Sequence, residues 1–181
     1  GTVVDADELM KSVIEDAKEM TQERGHLDGL SDSIKDELYK TIGLGGLKYY
    51  LLKVDPKKGM QFNPEESVDL NGNTGPFIQY TYARIQSILR KVEVFDKWSE
   101  TDLLLEPAEK TLLKDLSEFP SVIEESGKNY SPALLANYIY ELVKNYNSFY
   151  QSLSIIKEDD PNKKAFRIAI SYKVGSVIKL S

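Results

Sequence analysis

The sequence predicts a mainly α-helical chain, a helical bundle preceded by a shorter helical segment. Three observations lead there. Apolar residues recur at steps of three and four, as in Leu9, Val13, Ala17 and Met20, and again in Leu135, Tyr138, Leu142, Tyr146, Phe149 and Leu153. Several of these stretches open on Pro or a capping residue, where the missing proline N–H has no partner to lose. The only extended pieces are Gly1-Thr-Val-Val4 and a short run at Met60 to Phe62.

In order, Asp5 caps a first helix, with Glu8 at capping-box spacing and Gly25 ending the run. A second begins at Ser31 or Ser33, with Ile34, Leu38, Ile42, Leu47 and Leu51 on its buried side. Its middle, IGLGGLKYYLL, carries three glycines, each costing about 1 kcal/mol against Ala in a helix interior; a break or the close approach of another backbone accounts for them. VDPKKGMQFNPEESVDLNGN, Val54 to Asn73, holds too many Pro, Gly and Asn residues for a long helix and reads as a turn, an extended piece and a corner. The next helix starts near Gly75-Pro76, capped by Thr74 or Asn73. Helices at Pro107 to Leu116 and about Ser121 to Ser126 follow, then a long one from Ser131-Pro132. KEDDPNKK, Lys157 to Lys164, is a polar connection to a last helix from about Ala165.

The 181 residues suit one large domain or one domain with part of a neighbour. A net charge of −6 excludes a uniformly basic nucleic-acid binder but leaves room for a local basic face. Without Cys there are no disulfides, thiolate metal sites or Cys nucleophiles, a composition at ease in the cytoplasm. No apolar run is long enough to span a membrane, and the first residues lack the regions of a secretory signal. Both ends read as cuts in a longer chain.

Most candidate chemistry dissolves on inspection. The single His26, between two glycines, makes no ordinary zinc site and reads as a turn residue. Glu65-Glu66, Glu124-Glu125 and Asp159-Asp160 are adjacent acids whose side chains point apart, solvated charges rather than a catalytic pair. Gly43 to Gly46 lacks the Lys-Ser/Thr ending of a phosphate loop. No catalytic residue and no metal ligand is assigned.

NGNTGPFIQYTYARIQSILRKVE, Asn71 to Glu93, is different. On a helix from Phe77 to Val92, the residues Ile78, Tyr82, Ile85, Leu89 and Val92 form the face expected to be buried. Tyr80, Arg84, Ser87 and Lys91 form another. A phenol with a guanidinium and an ammonium on one ridge suits single-stranded RNA, the ring stacking on an unpaired base and the cations meeting phosphate. An ordinary amphipathic helix with solvated decoration is the plainer reading of the same residues.

LGGLKYYLLKVDPKKGMQFNPEESVDLNGNTGPFIQYTYARIQSIL resembles the segment that joins the catalytic core of bacterial arginyl-tRNA synthetases to their C-terminal helical domain. EPAEKTLLKDLSEFPSVIEES, SPALLANYIYELVKNYNSFYQSLSII and KKAFRIAISYKVGSVIKL are similar in order and spacing to the DALR anticodon-binding domain of that family, and GTVVDADELM resembles the residues after its KMSKS-like loop. The resemblance implies a C-terminal fragment: residues 1–72 as a helical stem-contact segment and linker, and 73–181 as the DALR bundle. It implies a parent enzyme that joins arginine to tRNA(Arg) with ATP in the cytoplasm. The fragment itself, with one histidine and neither a HIGH nor a KMSKS motif, is expected to be inactive and to need no cofactor. Its partner is the anticodon loop and stem of tRNA(Arg), bound by a monomer with no membrane contact. The implied tRNA-binding residues are Phe77 and Tyr80 as stacking rings, Arg84 on phosphate or fixing a loop, and Gln79 and Lys91 beside them. Phe77 stands where the family has tyrosine, and Tyr82 where histidine is commoner. Apolar surface is expected to be exposed on residues 1–70. The related region of cysteinyl-tRNA synthetases and a helical protein-interaction module are the alternative readings.

Overall fold

The computed structural model describes residues 5–23, 27–55, 57–92 and 103–181. All regular structure among them is helical, which bears out the expected class. It comprises α1 (Ala6–Glu23), α2 (Asp32–Leu52), α3 (Pro64–Ser67), α4 (Gly75–Leu89), α5 (Pro107–Lys128), α6 (Pro132–Ser152) and α7 (Pro161–Leu180). The readings of Gly1 to Val4 and of Gly25 and His26 lie outside the described residues. The chain forms two compact units, residues 1–80 and 81–181, so the division falls within α4.

In the first unit the caps form where the sequence places them. Asp5 Oδ1 accepts from the N–H groups of Asp7 (2.8 Å) and Glu8 (3.4 Å), and Ser31 Oγ accepts from Ile34 N–H. Val13 and Ala17 of α1 are sealed in the core with Leu47 and Val68, flanked by Leu9, Ile42 and Phe62. The glycine run in α2 is close backbone packing, not a break. A Cβ placed on Gly43 would meet the Val13 carbonyl oxygen at 2.6 Å, and one on Gly46 the Ser67 carbonyl at 2.5 Å, so α1 and α3 each lie against a glycine. The buried stripe of α2 is therefore Tyr39, Gly43, Gly46, Leu47 and Tyr50. This corrects the expected face: Leu47 belongs to it, whereas Ile34 and Leu51 are about half exposed. The glycines, which carry no hydropathy signal, mark the contact line. Met10, Leu30, Leu52 and Met60 are also exposed, and so are large apolar residues of the second unit such as Leu104, Ile123 and Leu180, so exposure does not single out residues 1–70.

In the second unit α5, α6 and α7 pack around Leu112, Leu142, Val143, Tyr146, Phe149 and Val174, together with Ile85 of α4. The two short helices expected between 107 and 126 are one, with Pro120 inside it. Packing outweighs the breaker: on the turn carrying Pro120, Phe119 stacks on Tyr138 of α6 at 5.9 Å, and the Tyr138 hydroxyl donates to the Asp115 carbonyl. The last helix starts at Pro161 rather than Ala165, because Asp160 Oδ1 caps it by accepting from the N–H groups of Asn162 and Lys163.

Tyr146 is wholly buried on α6, its hydroxyl donating to Ser171 Oγ at 3.0 Å. Burial pushes its phenol up to about 12, against a partial lowering by that hydrogen bond. The folded state thus holds a proton that the unfolded chain releases above about pH 10, so stability is intact below that pH and falls as pH rises from 10 toward 12. Urea titrations between pH 8 and 11 should show the unfolding midpoint falling with pH, and falling less steeply in Tyr146→Phe. Equal slopes would remove Tyr146 from the account.

Candidate nucleic-acid interface

The corner at residues 69–75 is built by short polar contacts within the first unit. Gly72 takes φ +95°, a conformation open to glycine, and Asp69 Oδ1 accepts from Asn71 N–H at 2.9 Å. The buried Thr74 hydroxyl donates to the Asp69 carbonyl and accepts from Phe77 N–H at 3.3 Å, which makes Thr74 the cap of α4. Tyr49 of α2 and Lys53 at its C-terminal cap clamp the corner from beside: Tyr49 Oη donates to Asn73 Oδ1 (2.5 Å) and Lys53 Nζ to the Asn73 carbonyl (2.9 Å). Lys53 also lies over the Tyr50 ring at 4.3 Å, and burial lowers its pKa from the ordinary lysine value, with Glu66 acting weakly the other way. Gly75 presses on the Gly45 carbonyl, where a Cβ would meet the oxygen at 2.6 Å. The first turn of α4 is thus fixed from three directions.

That turn carries the aromatic candidates. Phe77 is half-buried and Tyr80 is 51% exposed, so neither ring is sealed in the interior. Gln79 is turned onto α2, where its Nε2 donates to the Thr41 carbonyl at 3.0 Å. Its Oε1 is buried without a hydrogen bond.

In the second unit the buried face of α4 is Thr81, Ile85 and Ile88; Ile78, Tyr82, Leu89 and Val92, expected there with Ile85, are only partly covered. The shift follows from one polar contact. Asn147 Nδ2 donates to Thr81 Oγ1 (2.8 Å) and to the Val143 carbonyl (3.0 Å), which satisfies the threonine hydroxyl inside the core. The Asn147 side-chain oxygen then accepts from Arg84 Nη1, and the guanidinium stacks over the Tyr150 ring at 4.9 Å. Arg84 is therefore half-buried and oriented by α6, and Lys91 is exposed in the turn after α4. Sequence reasoning missed Asn147 and Tyr150. The available signal was that Tyr150 is an aromatic beside, not on, the apolar stripe of its own helix; the structure leaves it 40% exposed.

The first unit also bears an acidic groove lined by Asp16, Glu19, Glu23, Glu65, Glu66 and Asp69. Partial burial, followed by repulsion from Glu19, Glu65 and Glu15, raises the Asp16 pKa from its ordinary value. Among the described residues no cluster of His, Cys, Asp or Glu has the arrangement to hold a metal ion, and no helix is long and apolar enough to cross a membrane.

Residues 78–181 match the DALR anticodon binding domain, and the chain belongs to that family. It is 59% identical to the arginine–tRNA ligase of Flavobacterium psychrophilum and 51% identical to that of Phocaeicola vulgatus, in each case over 99% of this chain and 30% of the ligase. The chain thus spans about a third of the length of these relatives. Among solved structures, Thermus thermophilus arginyl-tRNA synthetase superposes with a TM-score of 0.84 at 26% identity, over 97% of this chain and 30% of that one. The Plasmodium falciparum arginyl-tRNA synthetase superposes at 0.82 and 25% identity, over 98% and 32%. The resemblance expected from the sequence therefore holds along nearly the whole chain.

Proposed function

We propose that this chain is the anticodon-recognising C-terminal part of an arginine–tRNA ligase, and that its RNA partner is the anticodon loop and stem of tRNA(Arg). The observation that carries the reading is the DALR match over 78–181, whose first residues include a half-exposed Tyr80 on a helix start held rigidly by the 69–75 corner. Tyr80 and Phe77 offer ring faces to unpaired bases, and Arg84, held by Asn147 and Tyr150, presents its guanidinium to a phosphate or a base edge. Gln79 orients the turn through α2 and Lys91 adds exposed positive charge. The whole ligase would activate arginine with ATP in the cytoplasm. This chain has neither the HIGH nor the KMSKS motif and would supply recognition as a monomer, without chemistry of its own.

Calorimetry with tRNA(Arg) and with the same tRNA carrying an altered anticodon tests the reading. Tyr80→Ala should weaken binding to the first by roughly 5- to 150-fold, from ~1–3 kcal/mol of stacking, with the melting temperature unchanged. Equal affinity for both tRNAs would overturn it.

A further inference from the structure

The first unit carries a charge asymmetry that anticodon reading does not use. From Leu38 to Pro64 the charged residues are Lys40, Lys48, Lys53, Lys57 and Lys58, with Asp55 the sole acid, whereas the acidic groove is formed by α1, α3 and the residues flanking α3. Lys57 and Lys58 are exposed, and among the described residues neither forms an ion pair. Lys57 N–H donates to Asp55 Oδ1 and Lys58 N–H to the Asp55 carbonyl, both at 2.8 Å. The chain beyond is tied back to α2 by the Tyr50 hydroxyl on the Gln61 carbonyl (3.1 Å) and by the Tyr50–Phe62 edge contact at 5.0 Å. Lys53, two residues before Asp55, is bonded to Asn73 and so joins this turn to the corner that launches α4.

We propose that the turn bearing Lys57 and Lys58 is a phosphate-contact surface that holds the backbone of the bound RNA beside the 71–75 corner. The proposal rests on the RNA-binding reading above and adds a second, sequence-independent contact to it. Two adjacent exposed cations can each meet a phosphate, and displacing counterions from the RNA makes their contribution salt-dependent. The acidic groove repels the same backbone, so the unit favours one placement of the RNA over the reverse.

The test is the double variant Lys57→Glu/Lys58→Glu. Its tRNA affinity is measured across a salt series, beside Lys173→Glu/Lys179→Glu, which makes the same change of net charge at exposed positions of α7. The expected result is binding weakened about tenfold or more at low salt and a log–log salt slope shallower by about 1–2, with discrimination between native and altered anticodons preserved. The α7 variant should keep the wild-type slope. A wild-type slope in the Lys57/Lys58 variant, or equal losses in both variants, would overturn the proposal and leave anticodon reading standing. If the lysines serve only the C-terminal end of α2, the double variant will melt at a lower temperature with its RNA affinity intact, which also refutes the proposal. Loss of anticodon discrimination in the wild type would instead strike the reading on which it rests.

Discussion

Replacing Arg167 with alanine is expected to destabilise the second unit by about 3–5 kcal/mol, the usual consequence of removing one partner of a buried ion pair. The Arg167 and Glu109 side chains are only 4% and 3% exposed, and Arg167 Nε donates to Glu109 Oε1 at 2.7 Å. The guanidinium also donates through Nη1 to the Ser154 carbonyl at 2.7 Å and to Glu158, so one side chain ties α7 to α5 and to the connection after α6. Glu109 in turn accepts from Glu106 N–H at 2.8 Å and closes the capping box of α5. Without Arg167 that carboxylate stays buried with one backbone hydrogen bond and no cation. Urea unfolding at pH 7 measures the effect, and a deficit under about 1 kcal/mol would contradict it. Arg167→Met/Glu109→Met should recover most of the loss, since apolar side chains of similar volume leave no buried charge.

Much of the fold was legible because helix starts are written locally. Asp5, Ser31, Thr74 and the prolines at 76, 107 and 132 stand where the helices begin, and the α6 stripe through Leu142, Tyr146 and Phe149 is the buried one. What escaped depends on partners distant in sequence. The Arg167–Glu109 pair spans 58 positions, and no local pattern distinguishes this arginine from a solvated one. Continuation of α5 through Pro120 depends on α6 lying alongside, and the rotation of the α4 face depends on Asn147 meeting Thr81, 66 positions away. The candidate interface divides in the same way. Tyr80 and the corner that presents it are local features, whereas the Asn147 and Tyr150 contacts that orient Arg84 come from α6. Gln79 read as part of a nucleic-acid face, yet its amide donates to α2.

The glycines give the sharpest test of that distinction, because one substitution at two helical positions should have opposite signs. Ala is the better helix former by about 1 kcal/mol, so helix propensity alone would have both Gly43→Ala in α2 and Gly127→Ala in α5 stabilise. At Gly127 nothing lies within 4 Å of the added Cβ, and a gain of about 0.5–1 kcal/mol is expected. At Gly43 the Cβ would fall 2.6 Å from the Val13 carbonyl oxygen and 2.9 Å from Ile14 Cα, both backbone atoms of α1 that no rotamer change can withdraw. Helix α1 must move away from α2, loosening the Val13 and Ala17 contacts with Leu47 and Val68, and a net loss of about 1–3 kcal/mol follows. The effect should be confined to the first unit: hydrogen exchange should quicken across α1 and α2 and stay unchanged across α6. A Gly43→Ala chain as stable as the wild type would mean that α1 does not cross α2 at this glycine, and the argument that the glycine run exists to admit neighbouring backbones would fail with it.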